Sequence, residues 1–405
     1  MGNSREQPLR VLAADDSAVM RGIMQKLFEM HGEDRLSRLP PMELCGTAQD
    51  GVECMDAVVR LKPDLLVLDL EMPRLNGLDV LERLRETNPG LPVIMCSSYT
   101  ERGAQSTLEA LARGAADYVM KPSAQRDLAA ALQSLADQLL PKIAALTRGH
   151  RSKGGESAPS TSLRAQGGET GARKDSPIEV VVIGLSTGGP SALEQMLPRL
   201  PSSFPVPVLI VQHMPKLFTG ALAERLDQCC ALRVRQAQDG EAIVPGTVWL
   251  APGDSHMEVA ARRMGFDAAD ADVRGRGARV RLHQQEPLNH CRPSVDYLFH
   301  SAARLYGASA LALMMTGMGA DGLSGARAVH EAGGVVLAQD EATSAVWGMP
   351  GRVADAGIAN AVLPLAAIAG EIRQRVSAGR PMRIFSAERT VTAATSRREG
   401  MHDLL

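Results

Sequence analysis

Short, almost uninterrupted apolar runs, each followed by a stretch with helical spacing, constrain this chain more than any other feature. Leu9–Ala14, Leu65–Asp69, Val93–Cys96 and Tyr118–Met120 are runs of this kind, with helix-like patterns over Ala18–Met30 and Gly77–Glu86. Strands apolar on both faces belong to parallel sheets covered by helices on either side. The same rhythm restarts at Ile178–Ile183 and continues through Val206–Val211, Thr247–Ala251, Ala308–Met315 and Val335–Ala338. Strand–helix alternation of this sort predicts an α/β protein with two doubly wound parallel-sheet domains, the second the larger.

Between the two rhythms, residues 148–177 hold a single large apolar residue, Leu163. Such a segment cannot offset its own ordering entropy and reads as a flexible tether, with an r.m.s. span of roughly 30 Å for about 30 residues. The expected division is 8–130 for the first domain, 131–177 for a helix end and linker, 178–375 for the second domain, and 376–405 for a polar tail. Composition limits what the domains do. With 44 basic against 46 acidic residues and only 3% aromatics, the chain lacks the basic footprint and the stacking rings of a nucleic-acid binder. No run reaches the roughly 18 apolar residues of a membrane span, and the first residues lack the apolar stretch of a secretory signal. The six cysteines, Cys45, Cys54, Cys96, Cys229, Cys230 and Cys291, show no Cys-x-x-Cys spacing and read as reduced thiols. A cytoplasmic protein with no membrane insertion is the expectation.

Ligands of open parallel sheets bind beyond the carboxyl ends of the strands. In the first domain those ends carry Asp15 and Asp16, Asp69, Ser97 and Lys121. Each has a bland reading alone, as a turn former, helix cap or loop residue. Together they place three carboxylates, a hydroxyl and an ammonium at one edge. Packed carboxylates repel unless a hard divalent cation such as Mg²⁺ sits among them, and one of them can then take a phosphoryl group while Lys121 neutralises its oxygens. The constellation resembles the receiver domain of two-component response regulators, a flavodoxin-type fold. That resemblance implies Asp69 as the phosphorylated residue and Asp15, Asp16, Asp69 and the Glu71 backbone carbonyl as Mg²⁺ ligands. It also implies Ser97 and Tyr118 as a switch pair, with Lys121 beside them. Asn76 stands where the family also uses Asp, at a position outside the metal site.

In the second domain, Gly184-Leu185-Ser186-Thr187-Gly188 follows an apolar strand and precedes a helical stretch, Ser191–Leu200. The pattern fits a nucleophile elbow. A phosphate cradle and a plain N-cap compete with it, the cradle weakened by the absence of Gly-Lys-Ser/Thr. What favours the elbow is a base and an acid on other strand ends: His213 after Val206–Val211 and Asp321 in the Gly-rich loop after Ala308–Met315. His213 would take the Ser186 proton while Asp321 orients the imidazole. The chain order Ser, His, Asp differs from that of α/β-hydrolases.

Ile-Gly-x-Ser-Thr-Gly-Gly-Pro, Gln-His-Met-Pro, Leu-Ala-Pro-Gly-x-x-His-Met, Arg-Pro-Ser-Val-Asp, Met-Thr-Gly-Met-Gly-x-Asp-Gly and Gly-Met-Pro, in that order, resemble chemotaxis protein-glutamate methylesterases. The resemblance implies a three-layer α/β/α esterase domain with Ser186 as nucleophile, His213 as base and Asp321 as its partner. Met318 and Thr187 would support the oxyanion, and the esterase would need no cofactor. It further implies a phosphorylation-activated enzyme that hydrolyses glutamate γ-methyl esters and deamidates glutamines on methyl-accepting chemoreceptors, with the histidine kinase of the chemotaxis system as phosphodonor. A transcriptional response regulator and a noncatalytic phospho-switch are the rival readings. Cys291 departs from the family, which often carries His there, and residues 265–279 look like a lengthened hairpin. The default reading of His256 is a structural hydrogen-bond partner.

Overall fold

The computed structural model describes residues 7–33, 39–122, 128–153, 176–261 and 277–378. No helix among them is long and apolar enough to cross a membrane. The first domain alternates β1 (Leu9–Ala14), α1 (Ala18–Glu33), β2 (Met42–Ala48), α2 (Gly51–Leu61) and β3 (Leu65–Asp69). It continues with α3 (Gly77–Thr87), β4 (Val93–Ser97), α4 (Glu101–Ala112), β5 (Asp117–Met120) and α5 (Leu128–Lys153). All neighbouring strands pair in parallel, in the order β2-β1-β3-β4-β5. The order reverses between β1 and β3, so the crevice such sheets offer to ligands opens where Asp15 and Asp69 stand.

Local chemistry starts the helices. Asp50 accepts hydrogen bonds from Val52 and Glu53 N–H, Asn76 from Asp79 N–H, and Thr100 from Gly103 N–H, each filling an orphan donor of a first turn. Strand β2 carries no continuous apolar run because it is an edge strand, with only Met42 and Ala48 buried. Helix α5 buries Leu132, Leu135, Leu139 and Ile143 at helical spacing in the same core as β1. It runs on to Lys153, so residues 148–153 are helical and do not begin a tether. The rest of the expected linker, 154–175, and the tail from 379 lie outside the described residues.

The second domain is built on β6 (Val180–Leu185), β7 (Val208–Gln212), β8 (Arg233–Gln236), β9 (Thr247–Leu250), β12 (Ala310–Met314), β13 (Val335–Gln339) and β14 (Ala361–Leu363). Between β9 and β12 the antiparallel pair β10 (His256–Ala260) and β11 (Arg279–His283) stands apart from the main sheet. The expected lengthened hairpin, 265–279, lies outside the described residues as far as 276. The main sheet is parallel throughout, ordered β14-β13-β12-β6-β7-β9-β8. Helices α6 (Gly189–Met196), α7 (Lys216–Cys229) and α11 (Leu365–Ala378) cover one face. Helices α8 (Val295–Tyr306), α9 (Leu323–Glu331) and α10 (Met349–Asp355) cover the other. Strand β6 shows why its run is all apolar: Val181, Ile183 and Leu185 pack toward the first set of helices, and Val180 and Val182 toward the second.

Gly184 occupies the one position of β6 where α8 comes too close for a side chain. A methyl group there would run into the branched side chain of Val295, which is fully buried. Gly184→Ala is expected to lower unfolding free energy by about 1–3 kcal/mol, the usual cost of overpacking. Urea denaturation of the full chain measures it, and an unchanged midpoint would contradict the close approach.

Candidate active site and phosphoacceptor site

Ser186, His213 and Asp321 follow β6, β7 and β12, three neighbouring strands with β6 in the middle. Leu185 is in register with Gln212, which puts Ser186 and His213 at adjacent strand ends, and His213 N–H bonds to Leu185 O at 3.2 Å. Ser186 N–H in turn reaches across to Thr316 O at 3.0 Å, tying the β6 end to the β12 loop. The turn after Ser186 needs its glycines for space as well as conformation. Gly188 has φ +77, and a side chain there would meet Ala345 and Thr316.

The imidazole and the carboxylate are bonded: His213 Nε2 lies 2.8 Å from Asp321 Oδ2. Asp321 is nearly fully buried and has four donors. Ser294 Oγ (2.6 Å) and Asn289 Nδ2 (3.0 Å) reach Oδ1, while Val295 N–H (2.6 Å) joins His213 on Oδ2. Two of these donors belong to the start of α8, whose N-terminus favours negative charge. Burial opposes ionisation of Asp321, but the hydrogen bonds led by His213 win and hold its pKa below the usual carboxylate value. Burial also pulls the His213 pKa down; the bonds to Asp321 and to Cys291 outweigh it and raise the value to about 9. Ser186 Oγ makes no hydrogen bond among the described residues, and the other ring nitrogen, Nδ1, has Cys291 Sγ at 3.6 Å. His213 and Asp321 are therefore bonded, and Ser186 stands on the adjacent strand end.

The N–H groups of Thr187 and Met318 make no backbone hydrogen bond among the described residues. Their side chains go elsewhere. Thr187 Oγ1 donates to Asp117 Oδ2 of the first domain at 2.7 Å, and Met318 packs against the first domain's core. Sequence reasoning missed Asn289, Ser294 and Gln212, whose Nε2 holds Ser186 O at 2.8 Å. The Ser294-Val295-Asp296 run carried a signal for the second of these, an N-cap followed by an acid in the first turn. His256 bears out its default reading. It is fully buried, accepts from Ser294 N–H (3.2 Å), pairs with Glu286 O (3.2 Å), and its pKa is lowered by burial.

In the first domain, Asp15, Asp16 and Asp69 each bring a carboxylate oxygen within 4.8 Å of the others. Lys121 Nζ bridges Asp15 Oδ2 (2.9 Å) and Asp69 Oδ2 (2.8 Å). Burial raises the Asp69 pKa to about 6, with Asp15 adding to the rise and Lys121 opposing it. Asp15 Oδ2 is buried without a properly angled hydrogen bond, its contact being the Lys121 ion pair. Crowded carboxylates with spare oxygen lone pairs fit a hard divalent cation. Glu71 lies two residues beyond Asp69 with its side chain exposed. Ser97 Oγ is turned toward Gly103 O (3.2 Å) and Thr107 Oγ1 (2.7 Å). The Tyr118 ring stacks on Phe218 of α7, centroids 4.8 Å apart and planes 3° from parallel.

The two halves touch directly. Asp117 Oδ2, besides accepting from Thr187, pairs with Lys142 Nζ of α5 at 2.8 Å, and Ser191 Oγ of α6 donates to Leu111 O of α4 at 2.8 Å. A cleft of 1220 Å³ opens beside this contact, with Met318, Gly319 and Ala320 on one wall and Leu91, Pro92 and Ala145 on the other.

Residues 181–372 match the family model described as CheB methylesterase, and residues 11–133 match that of the response regulator receiver domain. A protein-glutamate methylesterase/protein-glutamine glutaminase of Trichodesmium erythraeum is 40% identical over 91% of this chain and 99% of its own length. One from Nocardioides sp. is 43% identical over 92% of this chain and 97% of its own. Among solved structures, the Thermotoga maritima CheB methylesterase catalytic domain is 41% identical, covering 49% of this chain and 98% of its own at a TM-score of 0.45.

Because its folded-state pKa is raised, His213 is expected to keep its proton well past the ordinary 6.5 and to lose it near 9. Asp321→Asn should bring the midpoint back down. An NMR titration of the His213 ring follows both, and a wild-type midpoint at or below 6.5 would contradict the assigned hydrogen bonds.

Proposed function

The chain belongs to the protein-glutamate methylesterase/protein-glutamine glutaminase family, and on that footing we propose the residues and the control by which it acts. The enzyme hydrolyses glutamate γ-methyl esters of chemoreceptors, releasing methanol, and deamidates receptor glutamines to glutamate. Where His213 is neutral, Ser186 Oγ attacks the ester carbonyl and passes its proton to His213 Nδ1, since Nε2 is committed to Asp321, so the rate rises with pH toward the His213 value of about 9. The Thr187 and Met318 N–H groups take the oxyanion. Methanol leaves with the proton from the imidazolium, and a water activated by the same nitrogen releases the acyl group from Ser186. The observation that carries this reading is the buried, four-donor Asp321 bonded to His213 on the strand end next to Ser186. A transcriptional output gains no support, because residues 181–372 match the CheB methylesterase model.

Asp69 is the phosphoacceptor in this reading, with the kinase of the chemotaxis system as donor and a cytoplasmic location shared with it. Asp15, Asp16, Asp69 and the Glu71 carbonyl would hold Mg²⁺, which when bound offsets the negative charge of carboxylate and phosphoryl group. Lys121, already within 2.8 Å of Asp69, neutralises a phosphoryl oxygen. Ser97 and Tyr118 are the switch pair: the hydroxyl turns from Gly103 toward the phosphoryl group, and the ring leaves Phe218. Control follows from position. The first domain lies on the Thr187 and Met318 turns that border Ser186, and receptor helices need that space. Phosphorylation activates to the extent that it weakens these contacts and not those of the open form.

Two outcomes test the reading in the full chain, with methanol release from methylated receptor membranes measured with and without a small phosphodonor. Ser186→Ala should abolish release while leaving the fold intact; a variant that still turns over would point to the noncatalytic rival. Asp117→Ala strips Thr187 and Lys142 of a buried partner, at about 1–3 kcal/mol. It should raise the unphosphorylated rate several-fold and leave the phosphodonor-stimulated rate near wild type. An unchanged basal rate would rule out occlusion through this contact.

A further inference from the structure

Cys291 sits at the end of a short turn closed by a pair of backbone bonds, Leu288 N–H to Cys291 O (3.2 Å) and Cys291 N–H to Leu288 O (2.9 Å). The two residues inside it, Asn289 and His290, have φ of 52 and 62, a left-handed conformation that costs energy away from glycine. Side-chain bonds hold the turn in place: Asn289 Nδ2 donates to Asp296 Oδ2 (2.9 Å) and to Asp321 Oδ1 (3.0 Å). The turn therefore aims Cys291 at the imidazole. Its Sγ lies 3.6 Å from His213 Nδ1, with Asn289 O at 3.4 Å as its other neighbour.

Thiol, imidazole and carboxylate thus stand in sequence, Cys291 Sγ to Nδ1 and Nε2 to Asp321, and this relay shares its ring with Ser186. A cysteine facing a ring nitrogen whose far side is held by a carboxylate is the arrangement that activates thiol nucleophiles. The other cysteines are placed differently. Cys54 and Cys96 are buried with their thiol pKa values pushed up by burial, Cys45 and Cys230 are raised by burial as well, and Cys229 is exposed with Cys230 as its sulfur neighbour. Cys291 is of intermediate exposure.

We propose that Cys291 is a His213-activated thiol and a covalent modification site for small soft electrophiles, whose attachment there stops hydrolytic turnover. With iodoacetamide as the probe, the thiol proton passes to Nδ1 of a neutral His213 ring and the sulfur forms a bond to the methylene carbon. Iodide leaves with the carbon–iodine electron pair, and the imidazolium returns its proton to solvent. The carboxamidomethyl group then occupies the space beside Nδ1 and keeps that nitrogen from Ser186. The upward pull that Cys291 exerts on the His213 proton affinity has the sign such a pair requires. Inhibition rests on the reading that Nδ1 serves Ser186; the reactivity of the thiol does not.

The test uses the full chain, treated with limiting iodoacetamide. Labelling of each cysteine is followed by peptide mass spectrometry, and methanol release is measured on the same samples. Exposed Cys229 is the internal standard for an unactivated thiol. Cys291 should label about tenfold faster than Cys229, in keeping with an imidazole nitrogen 3.6 Å from its sulfur, and turnover should fall in proportion to Cys291 labelling. In His213→Gln the Cys291 rate should drop to that of Cys229. In Cys291→Ser the same dose should leave turnover at that variant's own untreated level. Wild-type Cys291 labelling no faster than Cys229, or a rate unaffected by His213→Gln, would overturn the activated thiol. Full labelling with turnover intact would overturn the inhibitory role. Because labelling is read without substrate, loss of the esterase assignment would show in untreated samples and nowhere in the labelling rates.

Discussion

One buried carboxylate, that of Asp321, ties the catalytic end of the second domain together. The loop after β12 supplies it, and its four donors come from the β7 end, the Asn289 turn and the first residues of α8. An ionised group so deep is tolerable only when fully hydrogen-bonded, because each missing donor would leave a charge without compensation in a poorly polarisable interior. The arrangement is consequently all of one piece. His256, which touches neither Ser186 nor His213 in a hydrogen bond, still matters, since it holds the Ser294 N–H at the point where α8 begins.

The parallel sheets were legible because both their faces are covered, so that the strands of the centre are written as apolar runs. Strands β2, β8 and β14, all at sheet edges, lack that signature and went unread, while the pair β10 and β11, outside the main sheet, showed only as a hairpin near 265–279. The strand-end rule located Asp15, Asp69, Ser186, His213 and Asp321 because the chemistry of a parallel sheet gathers at one edge whatever the loops do. What the rule cannot supply is direction. Nothing in the order of residues says that His213 turns Nε2 toward Asp321 and leaves Nδ1 for the other side, or that Asn289 reaches the same carboxylate. Those facts depend on a turn with two left-handed residues, far from Asp321 in the chain.

The spacing of the motifs was equally silent about how the halves meet. Asp117 opens β5, one residue before the expected switch residue Tyr118, and nothing in the sequence singles it out. In the fold it is buried between Lys142 of its own domain and Thr187 of the other. The neighbouring ring covers Phe218, which is fully buried. The acid and the ring make the contact side by side, one by hydrogen bond and one by apolar overlap, on a strand of four residues.

That adjacency on β5 divides the hold between two different kinds of force. Successive side chains of a strand point to opposite faces, so the Asp117 bond to Thr187 and the Tyr118 stack on Phe218 are separate grips made by one short strand. Salt and polar solutes act on the first and temperature acts most on the second, so a molecule that has released one is still held by the other.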